Sequence, residues 1–135
     1  MTPRPARDLS PVTALVLGWI LPGAGHAYGG RWGKAVLFFV LITGLLVTGM
    51  VLGGGTVILP QRLWFAAQLG AGGPAIALVP VAQYLSTLAP IDWADRLHEM
   101  GTLYSAVAGF LNLLVMMDAY LRLAYPRETT KEDNA

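Results

Sequence analysis

The sequence predicts an all-α integral membrane protein, a helical bundle with about four membrane-embedded segments. Of its 135 residues, 55% are hydrophobic and only 13% are charged. This charged share is about half that of an ordinary soluble domain. Asp, Glu, Lys and Arg are also absent from four long windows, residues 9–30, 35–61, 63–91 and 100–117. A spanning helix needs roughly 20 mostly apolar residues, and each window is near or above that length.

We expect a single membrane domain over residues 1–135. The first and third embedded segments are predicted to be kinked or re-entrant, because Gly and Pro interrupt them. Neither polar tail has the clustered basic residues of a lipid anchor. The segments are predicted at 12–28, 35–52, 63–88 and 101–123, between tails at 1–10 and 127–135.

In the first segment, residues 12–21 are apolar, which is enough for roughly half a bilayer. The sequence Pro-Gly-Ala-Gly at 22–25 then interrupts the helix. The helix therefore either continues to Tyr28 with a kink, or is short and followed by a turn. A cleaved signal peptide is a competing interpretation, but Asp8 and Pro11 suit one poorly.

The second and fourth segments are predicted to be continuous helices. The second is apolar on all sides from Val36 to Ile42 and ends at three consecutive glycines, residues 53–55, where further helix is costly. The fourth is apolar through its centre, and Pro126 prevents its continuation.

The third segment is predicted to consist of two half-helices, 63–69 and 75–88. The sequence Gly-Ala-Gly-Gly-Pro at 70–74 separates them. Irregular backbone inside a membrane is tolerated when it is buried against protein, so we expect this segment to pack on the other helices.

Basic residues predict the orientation. If all four segments cross, more basic residues lie on the side of the termini than on the other side. The positive-inside rule then places both termini in the cytoplasm of a bacterium, with the chain in its inner membrane. If the first or third segment is re-entrant, the count changes and the termini can separate. The two groups are Arg4, Arg7, Arg62, Arg122, Arg127 and Lys131, and Arg31, Lys34 and Arg96.

The turn after the first segment carries a resemblance. The sequence resembles the two-transmembrane-helix domain family, in which a turn of the type Gly-x-Gly-x-His-x-x-Tyr-x-Gly and a basic residue connect two helices. Together with residues 99–120, this turn also resembles a family of uncharacterised bacterial membrane proteins. That resemblance implies a compact polytopic protein over residues 12–125 and supplies no activity. The matching turn residues are Gly23, Gly25, His26, Tyr28, Gly29 or Gly30, and Arg31.

Small residues at every fourth position predict close helix packing, because they let a second backbone approach. We expect these contacts within the chain, with a homodimer as the alternative. Gly49 and Gly53 are expected to supply an opposing groove. The two rows are Gly25, Gly29 and Gly33, and Gly101, Ser105 and Gly109.

Asp118 is an ionisable residue in an otherwise apolar segment, which makes it a functional candidate. We expect it to pair with Arg122 at i+4, or to contact His26 or Arg31 across the bundle. A proton or ion relay is the alternative. The complete set of polar candidates is His26, Tyr28, Arg31, Asn112 and Asp118.

Several chemical functions lack their usual motifs. A net charge of +1 does not provide the basic surface that binds nucleic acid. Two histidines and no cysteine do not suit a zinc site. A phosphate loop, a dinucleotide fingerprint and a Gly-x-Ser-x-Gly turn are missing. We therefore expect no catalytic residues, no cofactor, no metal and no nucleic acid partner.

The leading hypothesis is a small non-enzymatic accessory, scaffold or assembly subunit. It would pack through its glycine-rich helix faces, with the lipid bilayer and other membrane subunits, or a second copy of itself, as partners. The alternative is a small transporter or ion or proton conduit that uses residues 70–74 and Asp118.

Overall fold

A computed structural model describes residues 9–59, 63–88, 90–92 and 94–126. All regular structure in these residues is helical, which confirms the all-α prediction. Most of the two predicted tails lies outside the described residues. The six α-helices are α1 (Pro11–Ile20), α2 (Ala24–Tyr28), α3 (Trp32–Leu52), α4 (Trp64–Gln68), α5 (Gly73–Leu88) and α6 (Arg96–Ala124), and a 3₁₀ turn at Leu69–Ala71 follows α4.

Local sequence sets the ends of these helices. Ser10 caps α1, since its side chain accepts a hydrogen bond from the Thr13 N–H. Asp95 caps α6 in the same way through the Leu97 N–H. Helix α3 ends at Gly53, the first of the three consecutive glycines.

Helices α3 and α6 run antiparallel through the centre of the fold. Gly49, near the end of α3, packs against Gly101, near the start of α6. These two helices, of 21 and 29 residues, are the described helices that are long and apolar enough to cross a membrane. We call the end of the bundle with Trp32 and Ala124 the terminal end, and the opposite end, with Leu52 and Arg96, the loop end.

Helices α1 and α2 form a first hairpin, which begins and finishes at the terminal end. Helix α1 runs from there towards the middle of α6, where Gly18 contacts Met116. The chain reverses at Gly23, whose φ of 83° is in the left-handed region that favours glycine. Helix α2 then returns and brings Gly29 beside Leu123.

Helices α4 and α5 form a second hairpin, which begins and finishes at the loop end. Gly70, just after α4, packs against Gly109 in the middle of α6. The chain reverses at Gly72, which has a φ of 72°. Helix α5 returns to the loop end, where Leu85 lies beside Gly55.

The tips of the two hairpins meet in the middle of the bundle. Gly72 and Gly73 lie against the backbone carbonyls of Trp19 and Ile20. The Trp19 indole N–H donates to the Leu69 carbonyl at 3.1 Å. The interruptions predicted at 22–25 and 70–74 are therefore reversals of the chain rather than kinks. Each half of the chain has the same order: a short helix, a reversal at a left-handed glycine, a second helix and then a long helix.

The core lies between α3, α6 and the second hairpin. It also includes the irregular segment after α3. Its buried apolar residues include Ile42, Leu46, Val57, Ile58, Ala71, Ala75 and Ala108.

Close helix contacts in this core depend on glycines, which have no side chain to hold two backbones apart. A Cβ atom added to Gly101 would lie 2.5 Å from the Gly49 carbonyl oxygen and 2.7 Å from the Gly53 nitrogen. One added to Gly109 would collide with the Ala67 carbonyl oxygen. The small-residue row of α6 therefore packs inside the chain, against α3 and α4.

We predict that Gly109→Ala destabilises the fold, because its methyl group would push α4 away from α6. Overpacking of this kind costs about 1–3 kcal/mol. Gly44→Ala is the matched control, since Gly44 also lies within a long helix and no atom lies within 4 Å of its added Cβ. The control is expected to be neutral or stabilising by up to about 1 kcal/mol. Unfolding in mild detergent measures both, and equal effects would contradict the close approach of α4.

Candidate functional site

Asn112 is a fully buried amide at the point where the hairpin tips meet. Its Nδ2 group donates to the Gly18 carbonyl at 3.2 Å and to the Gly70 carbonyl at 2.9 Å. In each case the residue four positions later is a proline, Pro22 or Pro74, which has no N–H to donate. Asn112 therefore supplies the donor that the helical backbone lacks, at two places at once.

Gln68 makes a second buried amide contact, between α4 and α6. Its Nε2 group donates to the Ser105 hydroxyl at 2.8 Å and to the Val57 carbonyl at 3.1 Å. Gln68 is not among the site residues predicted from the sequence, although an amide within a long uncharged window was an available signal. The Oε1 atom of Gln68 and the Oδ1 atom of Asn112 are buried without a hydrogen-bond partner among the described residues.

Asp118 lies near the terminal end of α6, within a charged cluster. Its two carboxylate oxygens accept hydrogen bonds from the Arg122 Nε group at 2.7 and 2.8 Å. The Oδ2 atom is also 3.5 Å from His26 Nε2, which is too far for a strong hydrogen bond. Asp118 thus has the i+4 partner expected from the sequence and also contacts α2.

His26 is 2% exposed, although it belongs to the short helix α2, outside the two long helices. Its ring lies against Phe38 of α3, with 5.1 Å between the ring centroids. Its Nε2 atom has no hydrogen-bond partner in the described part of the chain. Three helices, α2, α3 and α6, therefore meet at this imidazole.

Burial lowers the pKa of His26 below its ordinary value of 6.5. The Asp118 carboxylate opposes this shift, whereas the positive charges of Lys34, Arg122 and Arg31 add to it. The His26 side chain is therefore a neutral imidazole at neutral pH, and it can present an N–H group or a lone pair at Nε2.

A small cavity of about 60 Å³ opens beside this cluster. Arg31, Arg122 and His26 supply its polar groups, and Gly25 and Gly29 supply stretches of bare backbone. We call it the terminal cavity. Its lining combines two guanidinium groups with a buried imidazole.

A larger cavity, of about 480 Å³, lies at the loop end, lined by the end of α3 and the glycines after it, the end of α5 and the start of α6. Asp92, Asp95 and His98 are its ionisable lining residues. Both carboxylates already accept hydrogen bonds from backbone N–H groups, Asp92 from Ala94 and Asp95 from Leu97. The described residues contain no group of three side chains that could hold a metal ion.

The remaining predicted site residues are not brought together. Gly25 lets α2 approach Ala14 and Ala119, whereas Gly33 lies in α3 with open space around it. The row of Gly25, Gly29 and Gly33 is therefore not one helical face. Tyr28 ends α2 and is half-buried.

The conduit hypothesis needs residues 70–74 and Asp118 together, and the structure separates them. Gly70 lies against Gly109 and Asn112, in the middle of α6. Asp118 is six residues further along the same helix, a rise of about 9 Å.

Comparison with known proteins gives one family. The model of a family of unknown function, DUF6677, matches residues 13–131, which include most of α1 and all of the later helices. No curated protein and no solved structure matches the chain.

We predict that Asn112→Ala destabilises the fold, because it leaves the Gly18 and Gly70 carbonyls buried without a donor. Each orphaned group costs about 1–3 kcal/mol. Gln83→Ala is the matched control, since it also removes an amide, but from an exposed position of α5. The control should change stability by less than about 0.5 kcal/mol. Similar unfolding curves for both variants in mild detergent would contradict a structural role for the Asn112 amide.

Proposed function

Because this chain belongs to the family of unknown function DUF6677, whose description states no activity, we propose its function from its helix packing. The protein is a small, non-enzymatic integral protein of the bacterial cytoplasmic membrane. It acts as an accessory, scaffold or assembly subunit for other membrane proteins.

The outer surface of the long helices supports a membrane location. Large apolar side chains are exposed along the whole of α3, and a similar row follows α6. Monomeric soluble proteins rarely expose apolar patches of this extent, whereas lipid is a suitable environment for them. On α3 the exposed apolar side chains are Trp32, Val36, Leu37, Phe39, Val40, Leu41, Val47 and Val51.

In the proposed topology, α3 and α6 span the membrane and the two hairpins enter it from opposite sides and return. The observation that carries this topology is the junction at Asn112. A membrane interior offers no water to satisfy interrupted backbone, so broken helices need protein donors. The Asn112 amide provides such a donor to both hairpin tips.

Two spans place the described start and end of the chain on the same side. The basic residues of the terminal end then direct that end to the cytoplasm. At the loop end, acidic residues outnumber the basic ones. The described charges are Arg31, Lys34, Asp118 and Arg122 at the terminal end, and Asp92, Asp95, Arg96 and Glu99 at the loop end.

The buried amides and the small residues of α6 make contacts within the chain, so a partner subunit would need another surface. Asn112 and Gln68 hold the hairpins to α6, and the small-residue row of α6 contacts α3 and α4. The row of Gly101, Ser105 and Gly109 is thus occupied within the chain. We therefore propose that a partner subunit binds the apolar outer faces of α3 and α6.

A conduit has less support than a scaffold. Asp118 is paired with Arg122 at the terminal end, while residues 70–74 pack tightly against α1 and α6. The two features that the conduit requires therefore serve separate contacts.

We predict that single cysteines report the proposed topology directly, because the chain has no cysteine of its own. Cysteines at Ser10 and Gly33 should react with a membrane-impermeant thiol reagent from the cytoplasmic side. Cysteines at Leu63 and Ala94 should react from the opposite side. The measurement is labelling in right-side-out and inverted membrane vesicles.

Four crossings would exchange the sides of Gly33 and Leu63 and so contradict the re-entrant hairpins. Recovery of the chain in the soluble fraction would contradict the membrane location itself. Ser10 and Ala94 lie on opposite sides in both topologies, so they serve as internal controls.

We predict that a photo-crosslinking residue placed at Val40 or Phe110 in the native membrane yields one discrete protein adduct. Both positions lie on the apolar outer faces, where the side chain is 59% exposed at Val40 and 53% exposed at Phe110. Ile42, which is 2% exposed, is the matched control and should give no adduct. Mass spectrometry of the adducts measures the outcome, and lipid adducts alone at both positions would contradict the scaffold role.

A further inference from the structure

The terminal cavity has an excess of positive charge. Arg31 lies just before α3, Arg122 lies in the last turn of α6, and both side chains line the cavity. Lys34 follows one turn into α3, close enough to influence His26. Asp118 is the one carboxylate in this part of the described structure, so three cations face a single anion.

Arg122 keeps donors for a ligand. Its contact with Asp118 is made through Nε, to both carboxylate oxygens. A guanidinium group has five N–H donors, so the terminal nitrogens of Arg122 can still bind an anion. Arg31 makes no ion pair with a carboxylate among the described residues and offers its whole guanidinium group.

His26 adds a buried donor. The side chain is 2% exposed and lines the cavity, and its Nε2 atom has no hydrogen-bond partner among the residues that the structure describes. Buried polar atoms in native proteins nearly always have a partner. An anion in the terminal cavity would accept a hydrogen bond from Nε2 and satisfy it.

The size of the cavity limits the ligand. Its volume of about 60 Å³ is several times the roughly 10–15 Å³ of such space that a single water molecule needs. A single small oxyanion therefore has room between these side chains. Arginine pairs match phosphate oxygens in particular, because each planar guanidinium group can contact two of them.

We propose that the terminal cavity binds one phosphate group between Arg31, Arg122 and His26. The phosphate belongs either to free inorganic phosphate or to a phospholipid headgroup, since both present the same oxygens. A tetrahedral phosphate has enough oxygens to accept from all three side chains together.

The test is a titration of the full chain in mild detergent with two probes, inorganic phosphate and a short-chain phosphatidic acid. Diacylglycerol with the same acyl chains is the control for the lipid, because it lacks the phosphate. Saturable binding of inorganic phosphate alone assigns a free anion. Saturable binding of phosphatidic acid, without binding of diacylglycerol, assigns a lipid headgroup. Absence of binding by both phosphate probes overturns the proposal.

Arg31→Gln should weaken binding of the active probe about tenfold or more, because it removes a charge-assisted contact. Arg96→Gln is the matched control, since it removes an exposed arginine at the loop end, away from the cavity. Equal weakening by both variants would show nonspecific attraction and overturn the site.

Asp118→Asn separates a phosphate site from a merely structural cluster. Removal of this carboxylate should tighten binding severalfold, because it takes away the negative charge beside the cavity. Weaker binding by this variant, with its helical content unchanged, would overturn the proposed electrostatics. The titrations in detergent are independent of the proposed topology and of any partner subunit, so their failure is distinguishable from a failure of the proposed function.

Discussion

Asn112 donates two hydrogen bonds from one amide nitrogen, and these join the tips of both hairpins to α6. Both carbonyls lie where regular helix ends, Gly18 in the last turn of α1 and Gly70 in the 3₁₀ turn after α4, so neither is followed by a continuing helix that would supply its donor. Because a buried carbonyl without a donor is costly, each hairpin tip is stable only where such a donor is present. The central position of Asn112 on α6 therefore decides how deep both hairpins reach.

The glycine contacts follow from this junction. For the tips to reach Asn112, the backbones of α1, α4 and α6 have to approach closely, and Gly70 and Gly109 have no side chains to prevent it. Reversal of the chain at each tip uses a glycine with positive φ, Gly23 or Gly72. Several polar and small residues are thus buried inside the bundle, and large apolar side chains lie on its outer surface.

The two ends of the bundle differ in how they use charge. At the loop end, Asp92 and Asp95 satisfy backbone donors at the start of α6. At the terminal end, the guanidinium of Arg31 and the imidazole of His26 line a cavity and retain free donor capacity. A ligand is therefore expected at the terminal end, where the folded chain leaves polar groups unsatisfied.

The sequence by itself determined the helical class, the long helices α3 and α6, the interruptions near Gly23 and Gly72 and the pairing of Asp118 with Arg122. Each depends on neighbouring residues, such as an apolar run, a Gly-Pro sequence or an i+4 spacing. Only the tertiary structure decided that the interruptions are reversals of the chain. It also decided that the Asn112 amide donates a hydrogen bond to both hairpin tips. The Asn112 contacts join residues 94 and 42 positions apart, so no local pattern could reveal them. The sequence offered His26 and Arg31 as alternative contacts of Asp118, and the tertiary structure decided for His26, because the first hairpin folds back onto the end of α6.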